Sequence, residues 1–167
     1  MKEEVLRDLV LRLKRAGKRV AFAESCTGGL VSAAITEIGG ASEVFEFGGV
    51  TYSNHMKEKL LGVRHDTLCA YGAVSEQTAE QMAKGIAAFA ETEIGVGVTG
   101  IAGPGSDSTD KPVGLIYLGI WTSDGYSRVV ELRNHFSGDV RNQNRAAAVK
   151  AAFELLNEYL TIREKNQ

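Results

Sequence analysis

The chain has 167 residues, a length that suits one domain able to bury a core of its own without staples. Hydrophobic residues make up 44% and charged residues 24%, ordinary values for a globular protein. The 19 basic and 21 acidic side chains are well mixed and leave a formal net charge of −2, which argues against nucleic-acid and membrane partners.

Val5, Leu6, Leu9, Val10 and Leu13 recur at helical spacing, and Gly17 can close that helix. Residues 19–23 read as a short buried strand. Small apolar residues from Gly28 to Ile38 predict a helix that stops at Gly39-Gly40. Phe47 to Ser53 reads as a second strand, and Ser53 or Asn54 can cap a helix running to about Leu61. A short helix over His65 to Tyr71 follows, then a longer one capped by Ser75 and ending near Glu91. Ile94 to Thr99 predicts a third strand, thinned by glycine. A polar loop covers Gly100 to Pro112. Val113 to Thr122 and Tyr126 to Asn134 read as two strands joined through Ser123-Asp124-Gly125, a hairpin signal. Gly138-Asp139 opens a last helix with Val149, Ala152, Phe153, Leu156, Tyr159 and Leu160 on one face, and residues 164–167 read as a frayed end. This order predicts a three-layer α/β/α sandwich on a mixed, mostly parallel sheet of about five to six strands. Ligands of such sheets sit beyond the carboxyl ends of the strands, which points to the segments after Ala23, Tyr52 and Thr99.

Chemistry-bearing residues gather in those segments. Glu24-Ser25-Cys26-Thr27-Gly28-Gly29 is a strand-to-helix turn. A serine there can leave the top of the sheet, and N–H groups near Thr27 and Gly28, not yet used by the helix, can face an oxyanion. A plain cap and tight turn is the competing reading. Cys26 is the rival nucleophile, because a helix N-terminus can lower a thiol pKa, whereas Cys69 reads as a small core residue. Tyr52 and Lys57 lie near a strand end and one turn into the next helix. A lysine whose pKa falls through partial burial next to another cation can act as a base, although an ordinary solvated lysine is the favoured reading of Lys57 taken alone. Thr99 and Gly100 begin a glycine-rich loop whose N–H groups could meet a phosphate or carbonyl, or which could simply be a connection. Arg141 and Arg145 share one face at a helix start, where a cation is mildly unfavourable; an anionic ligand such as a phosphate, or a neighbouring salt bridge, would offset that. His55, His65 and His135 share no ligand spacing, so no metal and no cofactor is expected. Two cysteines without a C-x-x-C or Cys/His cluster suggest reduced thiols and a cytoplasmic location, and no apolar run has the length of a signal peptide core or membrane span.

Five motifs then stand out in order: Ala-Glu-Ser-Cys-Thr-Gly-Gly at 23–29, Gly-Val-Thr-Tyr-Ser-Asn-x-x-Lys at 49–57, Gly-Ala-Val-Ser at 72–75, Gly-Ile-Ala-Gly-Pro at 100–104 and Lys-Pro-Val-Gly at 111–114. With them the chain resembles the CinA C-terminal domain family over residues 19–160. The resemblance implies a three-layer α/β/α fold and a nicotinamide mononucleotide amidase of the stand-alone type, acting on a small nucleotide without nucleic acid. Carried onto this sequence, it implies Ser25 as nucleophile, Lys57 as general base and Tyr52 as assisting acid. The family's basic pair follows Gly-Asp directly; here Val140 intervenes, so Arg141 and Arg145 sit one residue late. The alternatives are a non-catalytic nucleotide-binding or regulatory domain of a competence or DNA-damage response, and a hydrolase of another small amide. The apolar character of several short helices suggests a homo-oligomer.

Overall fold

A computed structural model of the chain describes residues 2–106 and 110–166, so 107–109 of the polar loop and the last residue of the expected frayed end lie outside it. In chain order the elements are α1 (Glu3–Arg15), β1 (Val20–Glu24), α2 (Leu30–Thr36), β2 (Phe45–Val50), α3 (Asn54–Leu61), α4 (His65–Tyr71), α5 (Glu76–Ala90), β3 (Ile94–Gly100), β4 (Leu115–Thr122), β5 (Ser127–Arg133) and α6 (Val140–Lys165). The strands lie in the order β2-β1-β3-β4-β5. β1 pairs in parallel with β2 and β3, while β4 runs antiparallel to both β3 and β5. The sheet is therefore mixed, with only β4 reversed among its five described strands.

Alternation along each strand sends large side chains to one face and small ones to the other. Val20 and Phe22 of β1, Val96 and Val98 of β3, and Leu118 of β4 join the core beneath α1, α2 and α6. On the opposite face Ala21 and Ala23 meet Met82 and Ile86 of α5, with Leu61 and Leu68 from α3 and α4. Glycine on that face lets the α5 backbone lie directly on the sheet: a Cβ on Gly95 would stand 2.0 Å from the Ala83 carbonyl oxygen. That close approach is why the third strand is thinned of side chains.

Caps behave as the sequence indicates. The Ser53 hydroxyl, rather than Asn54, accepts from the Met56 N–H at 3.2 Å, and the Ser75 hydroxyl accepts from Thr78 N–H at 3.2 Å. Three details differ from the sequence reading. Val5 is exposed, because the buried stripe of α1 is Leu6, Leu9, Val10 and Leu13. The last helix continues to Lys165, held in part by Arg12 pairing with Glu164 at 2.8 Å. β2 ends at Val50, so Tyr52 lies in the loop beyond it.

Candidate active site

The carboxyl ends of β1, β2 and β3 open on one cavity of about 220 Å³, lined by Ser25, Cys26, Tyr52, residues 100–103, Gly105, Ser106 and Arg141. Ser25 leaves β1 with its N–H still bonded to the Val98 carbonyl at 3.0 Å, which ties the turn to β3. Lys57, on the first turn of α3, reaches back under the β2–α3 loop. Its Nζ lies 3.2 Å from Ser25 Oγ and donates to the carbonyl oxygens of Thr51 at 2.9 Å and Tyr52 at 3.2 Å. The side chain is 1% exposed, so the favoured reading of a solvated lysine does not hold. Burial lowers its pKa from 10.5 to about 8, with a small opposing pull from Cys26. No neighbouring cation is among the causes; desolvation alone penalises the charged form.

The turn itself is held differently from the sequence expectation. The Gly28 N–H bonds the Ser25 carbonyl at 3.1 Å and is not free for an oxyanion. The start of α2 is occupied from within: the Glu24 carboxylate accepts from the N–H groups of Gly29, Val31 and Ser32 and from the Ser32 hydroxyl. Among the described residues, the N–H groups of Cys26 and Thr27 have no backbone acceptor; Cys26 lines the cavity beside Ser25 with its N–H against its own thiol, whereas Thr27 has no exposed surface. What Cys26 gains from its backbone N–H is outweighed by burial. Its thiol is buried, and desolvation pushes its pKa up to about 11, which disfavours the thiolate a sulfur nucleophile needs. Cys69, expected in the core, is exposed, with its Sγ 3.4 Å from His65 Nε2.

The remaining candidates separate. Tyr52 lines the cavity rim but is 63% exposed, and its hydroxyl meets Arg141 Nη2 at 3.4 Å; only its carbonyl touches Lys57. Arg141 also donates to the Gly103 carbonyl at 2.6 Å, so it bridges the rim. Arg145 donates to the Thr27 carbonyl at 3.1 Å and acts on the nucleophile turn from behind. Gly100 lines the cavity, whereas Thr99 is buried and its hydroxyl donates to the Ala73 carbonyl at 2.7 Å. Lys111 holds the same α4–α5 turn through the carbonyls of Tyr71 and Val74.

Sequence reasoning passed over two buried residues that shape the site. Asn144 of α6 donates to the Ala102 carbonyl at 3.0 Å and so fixes the cavity loop. Glu24 does carry a sequence signal: a carboxylate ending an apolar strand just before a helix start, where the helix dipole favours negative charge. A larger cavity of about 510 Å³ lies at the other end of the sheet, lined by Asp124, Tyr126, Tyr159 and Arg163 among others, with no serine, cysteine or lysine in its lining. Among the described residues no group of His, Cys, Asp or Glu is placed to hold a metal ion, and no helix is long and apolar enough to cross a membrane.

The family model for the CinA C-terminal domain matches residues 2–160. The chain belongs to the CinA C-terminal domain family. A CinA-like protein of Kosmotoga olearia is 45% identical over 159 residues, covering 95% of this chain but 38% of the relative. The chain thus spans about two-fifths of that CinA relative's length. Among solved structures, the competence/damage inducible protein CihA from Agrobacterium tumefaciens has 44% identity and a TM-score of 0.87, covering 95% of this chain and 94% of that one. A CinA superfamily protein from Klebsiella pneumoniae has 31% identity and a TM-score of 0.88, covering 95% and 97%. The five-stranded mixed sheet is thus the CinA fold.

Proposed function

We propose that this CinA domain is an amidase that hydrolyses the carboxamide of nicotinamide mononucleotide to the acid and ammonia. The carrying observation is the 3.2 Å approach of a buried lysine amine to the hydroxyl of Ser25 at the mouth of a cavity. A lysine with a pKa near 8 is partly neutral at physiological pH and can take the serine proton, which a solvated lysine cannot do efficiently. The motif resemblance supplies the substrate.

The reaction follows from that pair. Ser25 Oγ attacks the carboxamide carbon as Lys57 Nζ takes its proton. The oxyanion that forms meets the N–H of Cys26, the turn residue that lines the cavity next to Ser25. The C–N bond then breaks, and Lys57 returns the proton to the departing nitrogen, leaving an ester on Ser25. Tyr52, at the rim, assists that protonation, which matters because ammonia is a poor leaving group. A water activated by Lys57 hydrolyses the ester and releases the carboxylic acid. In this reading Arg141, whose guanidinium lines the cavity, meets the substrate phosphate.

Purified protein is expected to release ammonia from nicotinamide mononucleotide without added metal, and Ser25→Ala is expected to abolish this. Nucleotide binding with no turnover, unchanged by Lys57→Ala, would favour a non-catalytic nucleotide-binding domain instead. For Arg141→Ala, KM for the nucleotide is expected to rise about 10- to 100-fold, the range of a lost charge-assisted contact, while turnover of the nucleoside stays the same. Equal effects on nucleotide and nucleoside would remove the phosphate role.

A further inference from the structure

Glu24 is a carboxylate with no exposed surface, one residue before the nucleophile. Buried carboxylates are costly unless each oxygen is hydrogen-bonded. Here one oxygen accepts from Gly29 N–H at 2.9 Å and Val31 N–H at 3.1 Å, and the other from Ser32 N–H at 2.8 Å and Ser32 Oγ at 2.7 Å. An N-cap usually comes from the residue at the helix start, but here that residue is Gly29, which has no side chain to offer. The strand therefore reaches forward and caps the helix itself.

The effect is a closed loop of chain. The β1 backbone fixes Glu24: its carbonyl accepts from Thr51 N–H at 2.9 Å, and its strand pairs with β2 and β3. Its side chain fixes the first turn of α2. Residues 25–28 span the two anchors and hold Ser25 together with Cys26, whose N–H has no backbone acceptor and which lines the cavity. Because the carboxylate takes the donors of Gly29, Val31 and Ser32, it leaves Cys26 as the donor next to Ser25 on the cavity wall.

We infer that Glu24 is a positioning residue: its buried carboxylate sets the geometry of the nucleophile turn and with it the position of the N–H beside Ser25. This rests on the amidase reading for its substrate, but not for its geometry. Catalysis is sensitive to such geometry because donors help only where charge develops, and a displacement of about 1 Å can cost on the order of 100-fold.

The test is Glu24→Gln, which keeps the shape but turns an NH2 toward one of the two donor pairs. With nicotinamide mononucleotide as substrate, kcat should fall about 10- to 100-fold, the scale of a lost charge-assisted hydrogen bond, while KM stays within about threefold. The pH midpoint should stay where Lys57 puts it, since the base itself is untouched. In parallel, labelling of Ser25 by a fluorophosphonate should slow by a similar factor, a readout independent of the natural substrate. Ser32→Ala, which removes one donor and keeps the carboxylate, should give a smaller fall in both, about threefold, and serves if the glutamine variant does not fold. Wild-type protein that labels rapidly but does not turn over the nucleotide would remove the amidase reading and leave the positioning role standing. Labelling and kcat unchanged in Glu24→Gln, or a rise in KM alone, would overturn the inference; so would an unchanged labelling rate in Ser32→Ala where Glu24→Gln is unfolded.

Discussion

At the residue scale the site depends on one buried amine. The shift of Lys57 from 10.5 to about 8 corresponds to roughly 3 kcal/mol against the charged form, and the side chain is too buried for solvent to screen that away. Two outcomes follow with defined sign. Activity should rise with pH to a midpoint near 8, as the amine loses its proton; an initial-rate profile flat between pH 7 and 9 would contradict the base assignment. Stability should also rise from about pH 8 to 10, because there the unfolded chain binds the proton that the folded one has released. Lys57→Met, inactive, should therefore be more stable than wild type at pH 7 by about 1–3 kcal/mol, with the gap closing by pH 10 in urea titrations. Cys26 gives the contrasting case. Its thiol is raised to about 11, so Cys26→Ala should keep kcat within a few-fold while losing about 1 kcal/mol of stability through the small void left behind. If that variant loses turnover while Ser25→Ala keeps it, the nucleophile is the sulfur.

At the element scale the site is placed by how α5 meets the sheet. Gly95, Gly97 and Gly119 present no side chain on that face, and each would put a Cβ within 2.7 Å of an α5 carbonyl oxygen. The contact is backbone against backbone, so it cannot adjust by rotating a side chain. Gly95→Ala should cost about 1–3 kcal/mol as the helix is pushed away, read as a lower urea midpoint. The same helix begins at Ser75, in the turn held by Thr99 and Lys111, so moving it also disturbs the end of β3 where the cavity loop starts. Activity in Gly95→Ala should fall together with stability, whereas a drop in stability with unchanged activity would separate the two ends of the helix.

At the scale of the whole molecule the end of the sheet away from Ser25 is tied together through one carboxylate. Burial alone would raise the Asp124 carboxyl, but hydrogen bonds from Thr122, Tyr159 and Lys18 outweigh that and hold it well below the usual carboxylate range. Arg163 of α6 pairs with the same group. Asp124 thus joins the β4–β5 hairpin, the α1–β1 connection and the end of α6. Its folded pKa is depressed, so its contribution is present above about pH 4 and is lost as pH falls further. Asp124→Asn should lower stability at pH 7 and flatten the acid limb below pH 4, with little change in turnover, because the cavity lies at the opposite end. An unchanged acid limb would mean that other carboxylates govern acid unfolding.

Much of this was legible along the chain because it rests on local rules. Hydrophobic periods of 2 and 3.6, the serine caps and the Asp-Gly turn mark the five described strands and the α-helices to within a few residues, though not the short 3-10 turn at Ala41–Glu43, and the motif turn at 24–29 marks the cavity. What local rules cannot carry is burial and partnership between distant segments. Nothing in the residues around Lys57 says that its stem is enclosed, yet enclosure is what makes the amine a usable base. The exposure of Cys69, the high pKa of Cys26 and the inward turn of Thr99 toward Ala73 were likewise decided by packing. The start of α2 illustrates the division best. The sequence alone determines a strand, a tight turn and a helix with a serine between them. Only the tertiary structure decides that Glu24 fills the helix terminus, because the cost of burying a charge depends on which donors the fold brings around it.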